Sequence, residues 1–299
     1  MTIHILMAVY NGGAALAEQL DSIAAQKDVA WHLFASDDGS SDNSRAVLDA
    51  FAEGHPVTRL DGPGQGGTAN FLSLIAQAPE GWVAFCDHDD VWLPDKLARA
   101  QAALAGIEGP ALYCARTWIV DADLQNRRLS AARPRPPGFA NALVQNIASG
   151  NTTVLNPAGA ALLRRHAAGA AGVEVHDWWA YLLITGAGGR VVHDDRPALL
   201  YRQHGANMIG ANDTTRARLH RIRRLLAGDF ADWNRRNIAA LHSARADLTP
   251  QNAAVLDAFA ELPRLPVHRR LAALRRLGLY RQGRMGQAAL WLAALLGRM

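Results

Sequence analysis

Short apolar segments alternate with helical patterns in the first half of the chain, and this alternation constrains the fold more than any other feature. The predicted strands are residues 4–9, 31–35, 57–60 and 82–86, and the predicted helices are residues 14–26, a segment from about residue 43, and residues 68–77. Strands that alternate with helices form a largely parallel sheet with helices on its faces. We therefore predict an α/β fold.

Polar side chains follow three of these strands directly. Tyr10 and Asn11 follow the first strand, Asp37 and Asp38 follow the second, and the acidic run 87–90 (Asp-His-Asp-Asp) follows the fourth. Ligands bind at the carboxyl ends of parallel strands, which lie on one rim of the sheet. This convergence predicts an active site at that rim.

The acidic run suits a divalent cation. Three carboxylates at positions 87, 89 and 90 would repel one another without a counterion, and oxygen ligands favour Mg²⁺ or Mn²⁺. Such an ion stabilises the charge that develops on a departing diphosphate. The other interpretation is a solvated turn before a helix that begins near Pro94 and Asp95. Placement directly after a buried strand favours the metal site.

Five ordered segments resemble a known enzyme family. MAVYNGG (7–13), SDDGSSD (36–42), CDHDDVWLPDKL (86–97) and VHDWW (175–179) resemble the family 2 glycosyltransferases of the GT-A fold, and YRQHGANMIG (201–210) is similar to their rhamnosyltransferase-type branch. The resemblance implies a GT-A glycosyltransferase domain over residues 1–210, with a helix-covered, mostly parallel sheet. Residues 211–299 then form a basic, mainly helical C-terminal extension.

The resemblance implies which residues hold the donor. Tyr10, Asn11 and Asp38 are expected at the nucleotide, while Gly67 and Asn70 are expected beside the diphosphate. From the residues alone, residues 37–40 would be an ordinary Asx turn with a helix cap, and a structural turn is at least as well indicated as a ligand loop for the glycine loop 62–67. This loop also satisfies GxGxxG. We reject a dinucleotide site there, because the loop follows the third strand and contains Pro63.

The family's metal-binding DxD matches Asp87 and Asp89, with Asp89 as the direct ligand and Mn²⁺ or Mg²⁺ as the cofactor. His88 stands where relatives often carry Gln or Ala, which leaves a contact with the sugar open. His204 is expected in the site as a third metal ligand, with phosphate binding or a surface turn as alternatives. Arg202 is expected on the diphosphate.

The resemblance also implies a base for the acceptor hydroxyl. The family's base falls at VHDWW, so Asp177 is assigned as the base and Trp178 is expected near the acceptor. Two adjacent indoles would desolvate the carboxyl and raise its pKa. His176 is a weaker candidate for the same role. Without the resemblance, Asp177 would be a helix cap and the tryptophans would be core residues.

Charge divides the chain into two parts. Residues 1–213 hold 15 basic and 22 acidic residues, a net charge of −7, whereas residues 214–299 hold 16 arginines and 5 acids, a net charge of +11. Segment 215–226 places leucines and an isoleucine on one helical face and arginines on the other. An anionic membrane surface or self-association through the C-terminal helices are the partners left open. Nucleic acid is not expected, because few aromatic residues stand among the arginines.

The expected compartment is the cytoplasm, with peripheral attachment to the inner face of the plasma membrane as an option. The N-terminus lacks the basic region of a signal peptide, and no run reaches the roughly 18 apolar residues that span a bilayer. The two cysteines, Cys86 and Cys114, have no metal-ligand spacing and imply no disulfide framework.

The predicted function is that of an inverting, metal-dependent glycosyltransferase. The expected donor is a nucleotide sugar, with dTDP-L-rhamnose suggested by the resemblance, and the acceptor is a saccharide or lipid-linked saccharide of a bacterial surface polysaccharide. The alternative is a non-catalytic nucleotide-sugar-binding subunit of a polysaccharide assembly system. A metal-dependent phosphohydrolase is the weaker enzyme alternative.

Overall fold

The structure is a computed structural model that describes residues 1–203 and 229–299. His204 and the arginine-rich segment 215–226, both singled out in the sequence, lie outside the described residues. The strands are β1 Thr2–Val9, β2 Ala30–Asp37, β3 Val57–Asp61, β4 Trp82–Asp87, β5 Val91–Trp92, β6 Ala111–Val120, β7 Arg128–Leu129, β8 Val154–Leu155 and β9 Arg190–Arg202. The helices are α1 Gly13–Ala24, α2 Ser44–Ala52, α3 Gly67–Gln77, α4 Lys96–Leu104, α5 Phe139–Ala142, α6 Pro157–His166, α7 His176–Gly186, α8 Asp229–Ser243, α9 Pro250–Glu261, α10 Val267–Arg276 and α11 Arg284–Leu296.

One sheet in the described part of the chain joins the strands in the order β3-β2-β1-β4-β8-β6-β9-β5, with β7 paired to β6. The first four strands in this order are mutually parallel, which confirms the α/β prediction. Their register aligns the strand ends, since Val9 pairs with Asp37 and Ala8 pairs with Asp87. The polar residues after β1, β2 and β4 therefore lie along one rim of the sheet.

The second half of the sheet is mixed. Strand β8 pairs antiparallel with both β4 and β6, and β6 pairs parallel with β9. Over their paired length β9 spans 13 residues where β6 spans 10, and the register shifts next to Arg116. Pro197 lies in this irregular stretch, where a strand tolerates a residue without an N–H donor. The irregularity brings the last residue of β9, Arg202, level with Val120.

Helices cover both faces of the sheet because side chains alternate along each strand. Ile5 and Met7 of β1 face a cluster that includes apolar residues of α1, α2 and α4. Leu6 and Ala8 face the opposite cluster, which includes residues of α3, α5, α6 and α7. The rim that carries the polar residues is thus supported by buried packing on either side.

Helices α8 to α11 belong to the same apolar core as α7. Leu241, Leu256, Leu274 and Leu290, one from each helix, are buried in the cluster that contains Leu182 of α7. The helical character predicted for the extension is therefore seen over residues 229–299. The boundary at residue 210 stays a prediction. In the described ranges, no helix has the length and apolar character required to cross a membrane.

Candidate active site

The turn after β2 is held by residues that follow β1. Asn11 has a left-handed backbone, with φ of 49°, and its N–H donates to Ser40 Oγ at 2.9 Å. Its side-chain Oδ1 accepts from Ser41 N at 2.8 Å. Asn11 was predicted at the nucleotide, and the structure uses its side chain to join the two strand ends. Tyr10 precedes it and is 57% exposed, so its ring is open to a ligand.

The glycine loop 62–67 wraps around the carboxylate of Asp38. Gly64 N donates to Asp38 Oδ1 and Gly66 N donates to Oδ2, each at 2.7 Å. A Cβ on Gly62 would lie 2.6 Å from the same carboxylate, so a side chain is excluded there. A carboxylate has lone pairs for further donors. The carboxylate of Asp38, buried at the rim, is thus fixed in place and can still accept a hydrogen bond from a further donor.

Gly67 begins α3 beside this loop, and Asn70 follows one turn later. Asn70 is 1% exposed, accepts from Ser36 Oγ at 2.5 Å and donates to Ser36 O at 2.9 Å. The amide of Asn70 thus joins α3 to β2, and its contact with the diphosphate stays a prediction. Gly67 N at the start of the helix keeps the right placement for an anion.

Asp87 and Asp89 lie at the end of β4, where they were predicted. Burial raises the pKa of Asp87 to about 7, and the neighbouring charges of Asp89 and then Asp177 add to that rise. In the ranges the structure describes, no group of three His, Cys, Asp or Glu side chains has a metal-binding arrangement. The predicted third ligand, His204, lies outside those ranges.

Asp90, the last acid of the run, is a structural residue rather than a surface ligand. It is fully buried and accepts from Asn151 Nδ2 at 2.6 Å and Arg202 N at 3.2 Å. Burial raises its pKa, and the charges of Asp87 and Asp89 raise it further. Asp90 therefore anchors the acidic run to two other segments of the chain.

Lys96 contributes a buried cation below the acidic run, which the sequence did not indicate. Its Nζ donates to Asn151 O at 2.7 Å and lies 3.0 Å from the centre of the Trp92 ring. Burial lowers the pKa of Lys96 to about 7, while the nearby charges of Cys86, Asp90 and Asp87 oppose that fall. A lysine at a helix start, in an otherwise polar segment, is ordinarily taken for a solvated residue.

His88 and Arg202 face the protein rather than a sugar or diphosphate. His88 Nδ1 lies 3.1 Å from Ala8 O of β1. Arg202 is buried, donates to Asp89 O at 3.0 Å, and forms further bonds with Ala122 O and the Glu18 carboxylate. These bonds engage the guanidinium with other residues of the protein, and the contact of Arg202 with the diphosphate stays a prediction. Its observed role is to hold the main chain of Asp89.

Asp177 begins α7 and is held by two donors from a neighbouring loop. Asn146 Nδ2 donates to Oδ1 at 2.9 Å, and Gly150 N donates to Oδ2 at 2.8 Å. Burial raises the pKa of Asp177 to about 6, although these hydrogen bonds oppose the rise. His176, the weaker candidate, stacks on Phe71 at 3.8 Å, and burial lowers its pKa to about 3. It is neutral and enclosed.

Trp178 lies in the core. It is 4% exposed, its indole N–H donates to Ala142 O at 2.7 Å, and its ring contacts Phe230 and Trp233 of α8. All residues of α7 are buried, and Trp178 has a packing role there, while its contact with the acceptor stays a prediction. Sequence reasoning missed Asn146, Gly150 and Asn151, because their contacts with Asp177 and Asp90 join segments that are far apart in the chain.

The structure thus has a parallel rim that carries Tyr10, Asp38 and the acidic run, and a separate buried carboxylate at Asp177. Residues 4–169 match the family described as glycosyl transferase family 2. The chain belongs to this family, and the protein is a glycosyltransferase.

Among relatives, the dTDP-rhamnosyl transferase RfbG of Shigella flexneri is 26% identical over 81% of this chain and 85% of that protein. The UDP-Glc:alpha-D-GlcNAc-diphosphoundecaprenol beta-1,3-glucosyltransferase WfgD of Escherichia coli is 30% identical over 32% of this chain and 38% of its own length.

Solved structures confirm the GT-A fold. Residues 1–349 of Staphylococcus aureus TarS, in complex with UDP-GlcNAc, match with a TM-score of 0.55 at 14% identity, covering 93% of this chain and 89% of TarS. The mannosyltransferase PcManGT of Pyrobaculum calidifontis, in complex with GDP-Man and Mn²⁺, matches with a TM-score of 0.52 at 19% identity. The match covers 99% of this chain and 85% of PcManGT.

Proposed function

We propose that this glycosyltransferase is inverting and metal-dependent, and that it transfers L-rhamnose from dTDP-L-rhamnose to a saccharide acceptor of a bacterial surface polysaccharide. The similarity to a dTDP-rhamnosyl transferase over most of both chains supports the donor. The E. coli relative WfgD is named for an acceptor in which a sugar is linked through diphosphate to undecaprenol, and this supports a lipid-linked acceptor here.

The observation that carries this proposal is the buried carboxylate of Asp177 close to the acids at the end of β4. Consecutive residues of one loop hold Asp177 and the acidic run: Gly150 N donates to Asp177 Oδ2 at 2.8 Å, and Asn151 Nδ2 donates to Asp90 Oδ2 at 2.6 Å. Asp87 is suited to the donor side, since it lies on the rim with Tyr10 and Asp38. Asp177 has a pKa of about 6, close to that of an effective base at neutral pH.

In the proposed reaction the acceptor hydroxyl oxygen attacks the anomeric carbon from the face opposite the leaving group. A new carbon–oxygen bond forms as the bond to the β-phosphate oxygen breaks, and the nucleoside diphosphate departs with that electron pair. The hydroxyl proton passes to Asp177. Asn146 and Gly150 hold the carboxylate so that the oxygen that receives the proton is oriented beforehand.

Asp87 and Asp89 fit a divalent cation, because their mutual repulsion is the kind of charge arrangement that such an ion relieves. Bound there, Mn²⁺ or Mg²⁺ would neutralise the diphosphate and so assist its departure. Asp89 is held for this role by Arg202, which binds its main-chain carbonyl.

The nucleotide is assigned to the adjoining part of the rim. The exposed ring of Tyr10 offers a stacking surface for a base, and Asp38 offers a fixed acceptor for a base N–H. Gly67 N, at the start of α3, is the proposed main-chain donor to the diphosphate.

Transfer of labelled rhamnose to acceptor saccharides, with and without Mn²⁺, tests the proposal. Asp177→Asn is expected to lower kcat by about 10²–10⁴-fold, because the base is lost. Its Tm at pH 7.5 is expected to change little, because two effects oppose each other. A carboxyl whose pKa is raised from 3.8 to about 6 contributes stability at low pH that is lost as pH rises through 6, so its replacement removes a burial cost at pH 7.5. The asparagine amide, however, offers one acceptor oxygen to the two donors Asn146 Nδ2 and Gly150 N. An Asp177→Asn enzyme with the wild-type rate would sink the proposed mechanism.

Binding without transfer separates the second candidate from the first. A wild-type protein that binds dTDP-rhamnose but transfers nothing across a broad acceptor panel would be a nucleotide-sugar-binding subunit. Release of free sugar with no acceptor requirement would indicate a hydrolase instead.

The cation is tested by thermal shift with dTDP. Mn²⁺ and dTDP together are expected to raise the wild-type Tm, because a ligand that binds only the folded state stabilises it. The rise should disappear in Asp89→Asn and persist in Asp95→Asn, which alters an exposed acid at the start of α4. An undiminished rise in Asp89→Asn would refute the metal site.

A further inference from the structure

Helix α11 has an apolar face that the rest of the described protein leaves uncovered. Met285 is 71% exposed, and Leu292, Leu295 and Leu296 are 43%, 48% and 48% exposed. At 3.6 residues per turn these four side chains lie on one side of the helix. Leu290, Ala293 and Ala294, on the other side, are buried in the core. The helix is therefore apolar on two opposed faces, of which one is packed.

The same part of the chain carries only positive charge. From residue 262 to residue 299 there are eight arginines and no aspartate or glutamate. Five of these arginines are exposed and form no ion pair with an acid among the described residues: Arg269, Arg275, Arg276, Arg284 and Arg298. An exposed apolar strip within a purely cationic segment favours a surface that is both apolar and anionic.

Helices α10 and α11 form one rigid unit, here called the C-terminal hairpin. Arg270, near the start of α10, donates to Ala294 O at 2.8 Å near the end of α11, so the helices run antiparallel. The same buried guanidinium donates to Leu265 O at 2.8 Å and Leu262 O at 3.0 Å. The uncovered face of α11 is thus presented by a fixed element.

The C-terminal hairpin is anchored next to the proposed base. Gln282, in the connection between α10 and α11, donates its N–H to Gln145 Oε1 at 2.7 Å. The adjacent residue, Asn146, is the donor to Asp177 Oδ1 at 2.9 Å. Asn141 also donates to Tyr280 O at 2.9 Å. Docking of the hairpin on a surface would therefore fix the orientation of the acceptor side of the active site.

We propose that the C-terminal hairpin docks on an anionic phospholipid bilayer, with the apolar face of α11 at the boundary of the headgroups and acyl chains and the exposed arginines on lipid phosphates. Short amphipathic helices with arginines bind membranes in this way. A second copy of the chain is disfavoured as the occupant. A symmetric dimer joins identical patches, which would bring two segments of eight arginines together without acids. The inference goes beyond the proposed reaction and does not depend on the donor.

Co-sedimentation of the full chain with vesicles tests this surface. Vesicles of phosphatidylcholine with phosphatidylglycerol should bind at least about tenfold more protein than phosphatidylcholine alone at about 0.1 M salt, and raised salt should reduce that ratio. The apolar variant is Met285→Gln/Leu292→Gln/Leu296→Gln, and the charge variant is Arg275→Gln/Arg276→Gln/Arg284→Gln. Each is expected to lower binding to anionic vesicles about tenfold or more.

Matched controls alter the same residue types elsewhere on the surface. Lys27→Gln/Arg59→Gln/Arg190→Gln removes three exposed charges, and Leu129→Gln removes an exposed leucine. Both should bind anionic vesicles as the wild type does, and all variants should keep the wild-type Tm. Equal binding by wild type and both hairpin variants would overturn the proposal, as would a wild type that ignores anionic vesicles. So would a solution dimer that the apolar variant converts to a monomer, because a second copy would then occupy the face.

Discussion

Burial and hydrogen bonding act in opposite directions on the carboxyl of Asp177. Loss of hydration favours the neutral acid, whereas the donors Gly150 N and Asn146 Nδ2 favour the charged form. The balance leaves a pKa of about 6. A carboxylate in that range is mostly ionised at neutral pH and is more basic than an exposed aspartate.

The first prediction concerns the pH profile of transfer. Because Asp177 must be ionised to accept a proton, kcat/KM should rise with pH and level off above about 6. Asn146→Ala removes a donor to the ionised form, so the pKa should increase and the acidic limb should shift upward by about 0.5–1 pH unit. The measurement is kcat/KM from about pH 4.5 to about pH 8, an interval that includes the pKa of about 6 with room on both sides.

Asn252→Ala is the matched control, since that amide donates to Thr185 O and Gly186 O, both at 3.0 Å, away from Asp177. It should leave the limb in place. An unshifted limb in Asn146→Ala would mean that Asp177 does not set the pH dependence.

The position of a residue was predictable where a motif follows a recognisable strand end. It was not predictable where the contacts of the residue depend on the direction in which its side chain points. Asp87 and Asp89 follow a strand whose end was clear from the sequence, and they lie at the predicted rim. Trp178 and Asn70 lie in helices whose orientation depends on tertiary packing. Helix α7 is buried all round, so its sequence has no polar face from which the direction of Trp178 could be inferred.

At the level of elements, the loop between β3 and α3 matters because it encloses the carboxylate of Asp38. Two of its amides donate to that carboxylate, and Gly62 packs against it. The sequence left a structural turn and a ligand loop equally open. The two interpretations are compatible, because the loop holds the carboxylate of Asp38 in place and Asp38 is the residue proposed to bind the nucleotide.

The second prediction follows from this contact. Gly62→Ala would place a Cβ 2.6 Å from Asp38 Oδ1 and 2.9 Å from Asp38 Cα. Relief of that overlap should displace the loop, cost about 1–3 kcal/mol of stability, and raise KM for the donor more than it lowers kcat. Chemical denaturation and initial rates at varied donor concentration measure the two effects.

Gly54→Ala provides the comparison, because its Cβ would meet nothing within 4 Å. It should change neither KM nor stability by much. Equal KM values in both variants would show that the position of Asp38 is irrelevant to donor binding.

At the scale of the whole molecule, the charge asymmetry of the chain does not correspond to two separate cores. The helices of residues 229–299 are rich in arginine on their surfaces, yet their apolar sides complete the cluster around α7. Asn252 of α9 also bonds to the end of α7. The chain should therefore unfold as one unit over the described parts.

The third prediction tests that continuity. Leu256 of α9 is fully buried, so Leu256→Ala should cost about 2–5 kcal/mol and shift one cooperative transition to lower temperature. Leu292→Ala, at a leucine that is 43% exposed, should cost far less. Calorimetry that resolved two transitions, with only one moved by Leu256→Ala, would instead show an independent C-terminal domain.

The parallel half of the sheet was predictable because its strands are long enough to show an apolar pattern. Strands β5, β7 and β8 contain two residues each, so they show no period that could be recognised. Strands β6 and β9 were not predicted at all, although they contain 10 and 13 residues.

The irregular pairing of β9 with β6 has a consequence for how this protein can change over generations. Strand β9 contains three more residues than the ten it lies beside, and the surplus is taken up around Pro197. Insertions or deletions at that point can be absorbed before the strand reaches Arg202, which holds Asp89. The position of Arg202, and with it the main chain of Asp89, is therefore expected to tolerate changes in the length of β9 before Pro197.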